Sequence, residues 1–169
     1  VKVQRKGCEV RAQGGYFNPK PFRDFSDFEK TIHLLDAALT ENPQLQSPAG
    51  FPMAALVCPT EKEPLLVLLS RIPKDIFASA GKGQNEVVSL ILDSQKNIVN
   101  FKWAAVNFAG ITQPTLCHYT FSLLPPGDYD CRVVIRNLET GQTAVASESV
   151  LIPGTSDVPL TLLPPLLLQ

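Results

Sequence analysis

The chain has 169 residues, of which 44% are hydrophobic and 18% charged, with a formal net charge of −1. That length fits about one domain, large enough to fold without disulfides or metal. So few charges exclude a disordered charged tail, a coiled coil and a heavily basic nucleic-acid binder, and fifteen prolines argue against an all-helical fold.

Residues 1–12 read as a β-hairpin, with Arg5-Lys6-Gly7 as its turn between alternating segments. Residues 1–23 hold six Lys or Arg against Glu9 alone, a local charge of +5, which leaves −6 for the remainder. This basic arm carries no nucleic-acid motif, so it reads as a solvated strand pair lying against an acidic neighbour. The chain opens on Val1 inside an alternating pattern, which predicts a piece of a longer protein.

Ser26 begins a helix. Ser26 and Glu29 form a capping box, Asp27 and Glu29 suit the helix dipole, and Asn42-Pro43 stops it. Phe28, Ile32, Leu35 and Leu39 make one apolar stripe, expected to pack on the neighbouring body or on a domain beyond this chain. Strands are then predicted over 54–58, 65–72, 86–92, 98–108, 118–124, 129–136 and 144–152, separated by turn clusters such as Pro125-Pro126-Gly127-Asp128. No second helical pattern alternates with them, so the fold class is mainly β. The expected architecture is an immunoglobulin- or fibronectin type III-like antiparallel β-sandwich with an N-terminal hairpin arm and one α-helix. The predicted division is 1–23 as the basic arm, the tail of an upstream domain, 24–47 as helix and linker, and 48–169 as the sandwich. Residues 160–168 are apolar but too short to span a bilayer, which takes roughly 20 residues, and Pro164 and Pro165 interrupt them. They are expected to complete an edge strand or pack against another copy, as in a weak homo-oligomer.

Cys8, Cys58, Cys117 and Cys131 form no CxxC pair, and buried free thiols are the favoured reading. Cys117 and Cys131 are expected on adjacent strands. His33 and His118 have no carboxylate or cysteine at ligand spacing, so core-edge or solvated roles are expected for both. Gly81-Lys82-Gly83-Gln84 lacks the ending and the helix of a phosphate loop. Asp93, Asp128 and Asp130 would hold calcium only if their loops converged; Glu61, Glu63 and Asp75 read as solvated. No catalytic, metal or cofactor residues are assigned, and no enzyme is expected. The ligand candidates are the aromatics Trp103, Tyr119 and Tyr129, with Phe121 sharing a strand face with Tyr119. The favoured reading buries these rings between the sheets instead.

Two stretches carry a family resemblance. The first 20 residues, VKVQRKGCEVRAQGGYFNPK, and LPPGDYDCRVVIRNLETGQTAVASESVLIP, within 123–153, resemble the end of the von Willebrand factor type A-related domain of predicted secreted acidobacterial proteins and the β-sandwich that follows it. The middle of the chain is only loosely similar. The resemblance implies a secreted or periplasmic bacterial protein with a cation-binding type A domain upstream. The DxSxS metal motif of such domains does not carry over: Asp24-Phe25-Ser26-Asp27-Phe28 lacks the second Ser and opens a helix. The expected function is a non-catalytic structural or protein-interaction module that spaces or supports that upstream domain. The alternative is a carbohydrate-binding sandwich. The expected partner is a protein or the upstream domain, with no nucleic acid and no membrane span.

Overall fold

The computed structural model describes residues 20–39, 50–79, 84–108 and 111–154. The hairpin arm expected over 1–12 lies outside these residues, as do Cys8, Gly81-Lys82-Gly83 and residues 160–168. Helix α1 spans Asp27–Leu39 and a second, short helix α2 spans Lys74–Ser79. The strands are β1 (Met53–Cys58), β2 (Leu65–Pro73), β3 (Gln84–Leu92), β4 (Ile98–Asn107), β5 (Thr115–Leu123), β6 (Gly127–Asn137) and β7 (Thr143–Ile152). All seven match predicted strands within a few residues. The short α2 was not expected, because six residues are too few to show a helical period.

The strands form two antiparallel sheets, β1-β2-β5 and β4-β3-β6-β7. Between them lies the main core, with Leu66, Leu68 and Ile72 from β2, Val87 and Ile91 from β3, and Cys131, Val133 and Ile135 from β6. This is the immunoglobulin- or fibronectin type III-like sandwich expected from the strand spacing. The hairpin β3–β4 turns on Asp93, whose carboxylate accepts from the backbone N–H of Gln95 (2.8 Å) and Asn97 (2.9 Å). That arrangement lets Lys96 adopt φ 65°, a left-handed conformation rare in non-glycine residues.

Tyr129 is not available as a ligand aromatic. Its ring is buried on the inner face beside Cys131, the core position expected when these rings fill the space between the sheets. Its hydroxyl donates to the Pro125 carbonyl at 2.9 Å, and it stands two residues before Cys131 at the β5–β6 crossover. That geometry is the tyrosine corner of immunoglobulin-like sandwiches. Tyr129→Phe keeps the buried ring and loses the hydrogen bond. The expected outcome is a loss of about 1 kcal/mol, read as a lower urea midpoint with an unchanged m-value.

The outer face of the four-stranded sheet carries α1. Its N-terminus is the expected capping box: Glu29 accepts from the Ser26 N–H at 2.6 Å, and the Glu29 N–H donates to Ser26 Oγ at 3.3 Å. Leu34 and Ala38 pack with Val88, Leu90 and Val134 in a second core, and Ala37 is also buried. The predicted stripe is therefore not the face that docks on the sheet: Phe28, Ile32 and Leu39 are 74%, 50% and 43% exposed. Two adjacent alanines allow the helix backbone close to the sheet, and a count of large apolar side chains overlooks that face.

Candidate functional site

The outer face of β6 presents Arg132, Val134 and Arg136. Arg136 donates through Nε to Glu86 Oε1 at 2.6 Å, and its Nη2 lies 2.5 Å from the same oxygen. Its Nη1 donates to the Lys30 carbonyl of α1, and the Phe22 ring lies 5.4 Å from the guanidinium. Trp103 Nε1 donates to the other carboxylate oxygen, Glu86 Oε2, at 2.7 Å. Arg132 Nη1 donates to the Ala38 carbonyl at 2.5 Å, and Nη2 donates to Asp130 at 2.9 Å. Two arginines thus hold carbonyls near opposite ends of α1. Burial would raise the Asp130 carboxyl, but hydrogen bonds from Arg132 and Lys96 outweigh it and hold the carboxyl below its ordinary value.

The three candidate aromatics do not form one site. Tyr129 is in the core, while Trp103 and Tyr119 are 56% and 66% exposed, so core filling describes only Tyr129. Trp103 stands with Phe101 on the outer face of β4, and Tyr119 stands with Phe121 on the outer face of β5. These strands belong to different sheets, so Trp103 and Tyr119 face away from each other. Where the two edges meet, Lys102 points inward from β4, donates to the Phe121 carbonyl and lies 4.6 Å from that ring. An inward lysine of this kind discourages edge-to-edge pairing.

The outer face of the three-stranded sheet is apolar. Its cross-strand rows are Cys58–Leu65–Leu123, Leu56–Val67–Phe121 and Ala54–Leu69–Tyr119, followed by Arg71–Cys117. Phe121 and Leu123 are 55% and 58% exposed. Arg71 is the one charged side chain in these rows.

Among the described residues, no three His, Cys, Asp or Glu side chains gather as a metal-holding group. Asp93 is engaged in its turn and Asp130 in ion pairs with Lys96 (3.1 Å) and Arg132 (2.9 Å). His118 lies within β5 opposite Ser70, instead of opening the strand. Burial lowers the pKa of His118, and burial followed by the Arg136 charge lowers that of His33. Both histidines favour the neutral form when folded, so stability is retained above an unfolded-state pKa of about 6.5 and declines as pH falls through it. Urea midpoints at pH 7.5 and 5.5 check this, and the difference should shrink in His33→Gln/His118→Gln.

The three described thiols are free, as expected, but only Cys131 is buried: Cys58 is half-buried and Cys117 is exposed. Cys117 and Cys131 lie on strands of different sheets, not on neighbouring strands. Burial, reinforced by Asp130 and Glu148, pushes the Cys131 thiol up to about 12. Cys131 should therefore resist iodoacetamide at pH 8 and be labelled only when the protein unfolds, as peptide mass spectrometry would show.

No family model and no curated protein matches the chain. Among solved structures it is similar to a glycosyl hydrolase family 2 member from Bacteroides cellulosilyticus. The TM-score is 0.46 at 15% identity, covering 63% of this chain and 16% of that one. It is also similar to a Bacteroides uniformis β-glucuronidase, with a TM-score of 0.43 at 15% identity, covering 60% of this chain and 13% of that one. The chain thus spans only a small part of the length of either enzyme.

Proposed function

We propose that this chain is a non-catalytic structural module of a larger exported bacterial protein, and that α1 is its seat for an upstream von Willebrand type A-like domain. One observation carries the reading: α1 is held by its inner face and two arginines, while Phe28, Ile32 and Leu39 remain exposed on its other side. A helix fixed this way offers an apolar stripe without an ordering cost at docking. Lys20, at the end of the basic segment, pairs with Glu29 at 2.9 Å, which supports an electrostatic joint at the same place. Export, bacterial origin and the type A neighbour come from the family resemblance.

The test is Phe28→Ser/Ile32→Ser in the full-length protein. X-ray scattering should show a loosened joint, while the unfolding midpoint of the sandwich moves by no more than about 0.5 kcal/mol, as for surface sites. An unchanged scattering profile would overturn the reading. A second reading, carbohydrate binding, rests on Tyr119 and Phe121 sharing an exposed sheet face. The surrounding leucines and valines offer sugar hydroxyls few partners, so contact with protein is favoured. Glycan-array binding that disappears in Tyr119→Ala would reverse that preference.

A further inference from the structure

The apolar face of the three-stranded sheet points away from α1, and the joint does not use it. Seven residues rising about 3.3 Å each make the face about 23 Å long. An occupant already tethered beside it binds at high effective concentration, so it needs less area than a free partner would.

The chain supplies such an occupant directly after Gly154. Residues 155–169 include Val158, Leu160, Leu162, Leu163, Leu166, Leu167 and Leu168, with no charged side chain beyond Asp157. They start at the right end of the sandwich: Ile152 pairs with Gly127, four residues after Leu123 in the first apolar row. Fifteen residues reach about 50 Å when extended, about twice the length of the face. Pro159, Pro164 and Pro165 lack the N–H groups a ladder needs. Edge-strand pairing is thereby disfavoured, and side-chain contact with a face is favoured.

We propose that residues 155–169 lie across the outer face of the three-stranded sheet, placing their leucines on Leu65, Val67, Phe121 and Leu123. The face carries its own probes: Cys58 lies in the row nearest the tether, Cys117 lies in the farthest row, and buried Cys131 reports unfolding. In the full chain, Leu162→Asp/Leu166→Asp/Leu167→Asp should raise the maleimide labelling rates of Cys58 and Cys117 by about fivefold or more while Cys131 stays silent, as expected for release of a local covering segment. Unchanged rates with Cys131 silent would overturn the proposal. So would labelling that slows as protein concentration rises, because a second copy would then be the cover. If the triple variant labels at Cys131, Leu166→Cys in the otherwise unmodified chain decides the matter. Mild oxidation should yield an intrachain disulfide to Cys117 or Cys58, and only interchain links, or none, would count against the segment. The joint at α1 is untouched by these variants, so either idea can fail without the other.

Discussion

Glu86→Ala is expected to destabilise the protein by about 3–5 kcal/mol, the usual consequence of stripping one partner from a buried ion pair. Arg136 and Glu86 are 4% and 5% exposed, and the substitution leaves the guanidinium with the Lys30 carbonyl and the Phe22 ring but no counter-charge. It also takes the acceptor from Trp103 Nε1. For a chain of this size each kcal/mol corresponds to roughly 2–4 °C in Tm, so a fall of about 10 °C is the expected reading. Restoring apolar fit separates the charge from the packing: Glu86→Leu/Arg136→Met should recover much of the loss. A double variant as unstable as Glu86→Ala would mean that the Lys30 carbonyl contact, not the unpaired charge, dominates. Hydrogen exchange in α1 would identify that case, because the helix would open before the sheets.

The same two residues show where the sequence stops being informative. Alternation along 129–137 correctly places Arg132, Val134 and Arg136 on one face of β6, and polar residues on a strand's second face ordinarily mean solvent. Here the second face is roofed by α1, and the arginines are buried with partners 50 and 94–106 residues away in sequence. No local pattern links Arg136 to both Glu86 and Lys30. β3 did carry a hint, since Val87, Val88, Leu90, Ile91 and Leu92 form an apolar run without alternation, as expected of a strand covered on both sides. The strands themselves were legible because turn chemistry marks their ends, as at Pro125-Pro126-Gly127 and Glu139-Thr140-Gly141. The helix was legible at its cap but not in its orientation: the large side chains form one stripe, while Leu34, Ala37 and Ala38 form the face that docks. The exposure of Trp103 and Tyr119 was also beyond reach, because it depends on β4 and β5 being sheet edges. That is a property of topology, not of either strand's sequence.

Gly141→Ala should be the most disruptive alanine substitution among the described glycines. Gly141 has φ 75° in the β6–β7 turn, held by its N–H donating to the Asn137 carbonyl at 3.0 Å. A side chain in that conformation costs about 1–2 kcal/mol. The added Cβ would also lie 2.5 Å from Phe22 Cδ2, so the ring must move, at an overpacking cost of about 1–3 kcal/mol. Phe22 has little freedom, because its ring also contacts Phe25 (5.1 Å), His33 (5.0 Å) and the Arg136 guanidinium. The expected total of about 2–5 kcal/mol therefore has a conformational part and a packing part, and a double-mutant cycle separates them. In a Phe22→Ala background the clash is gone, and Gly141→Ala should then cost only the conformational 1–2 kcal/mol. Equal costs in both backgrounds would show that Phe22 yields freely. A coupled result would mean that one tight turn, through one ring, sets the position of the α1 N-terminus on the sheet. The orientation of the exposed Phe28–Ile32–Leu39 stripe would then depend on a glycine at the far end of β6.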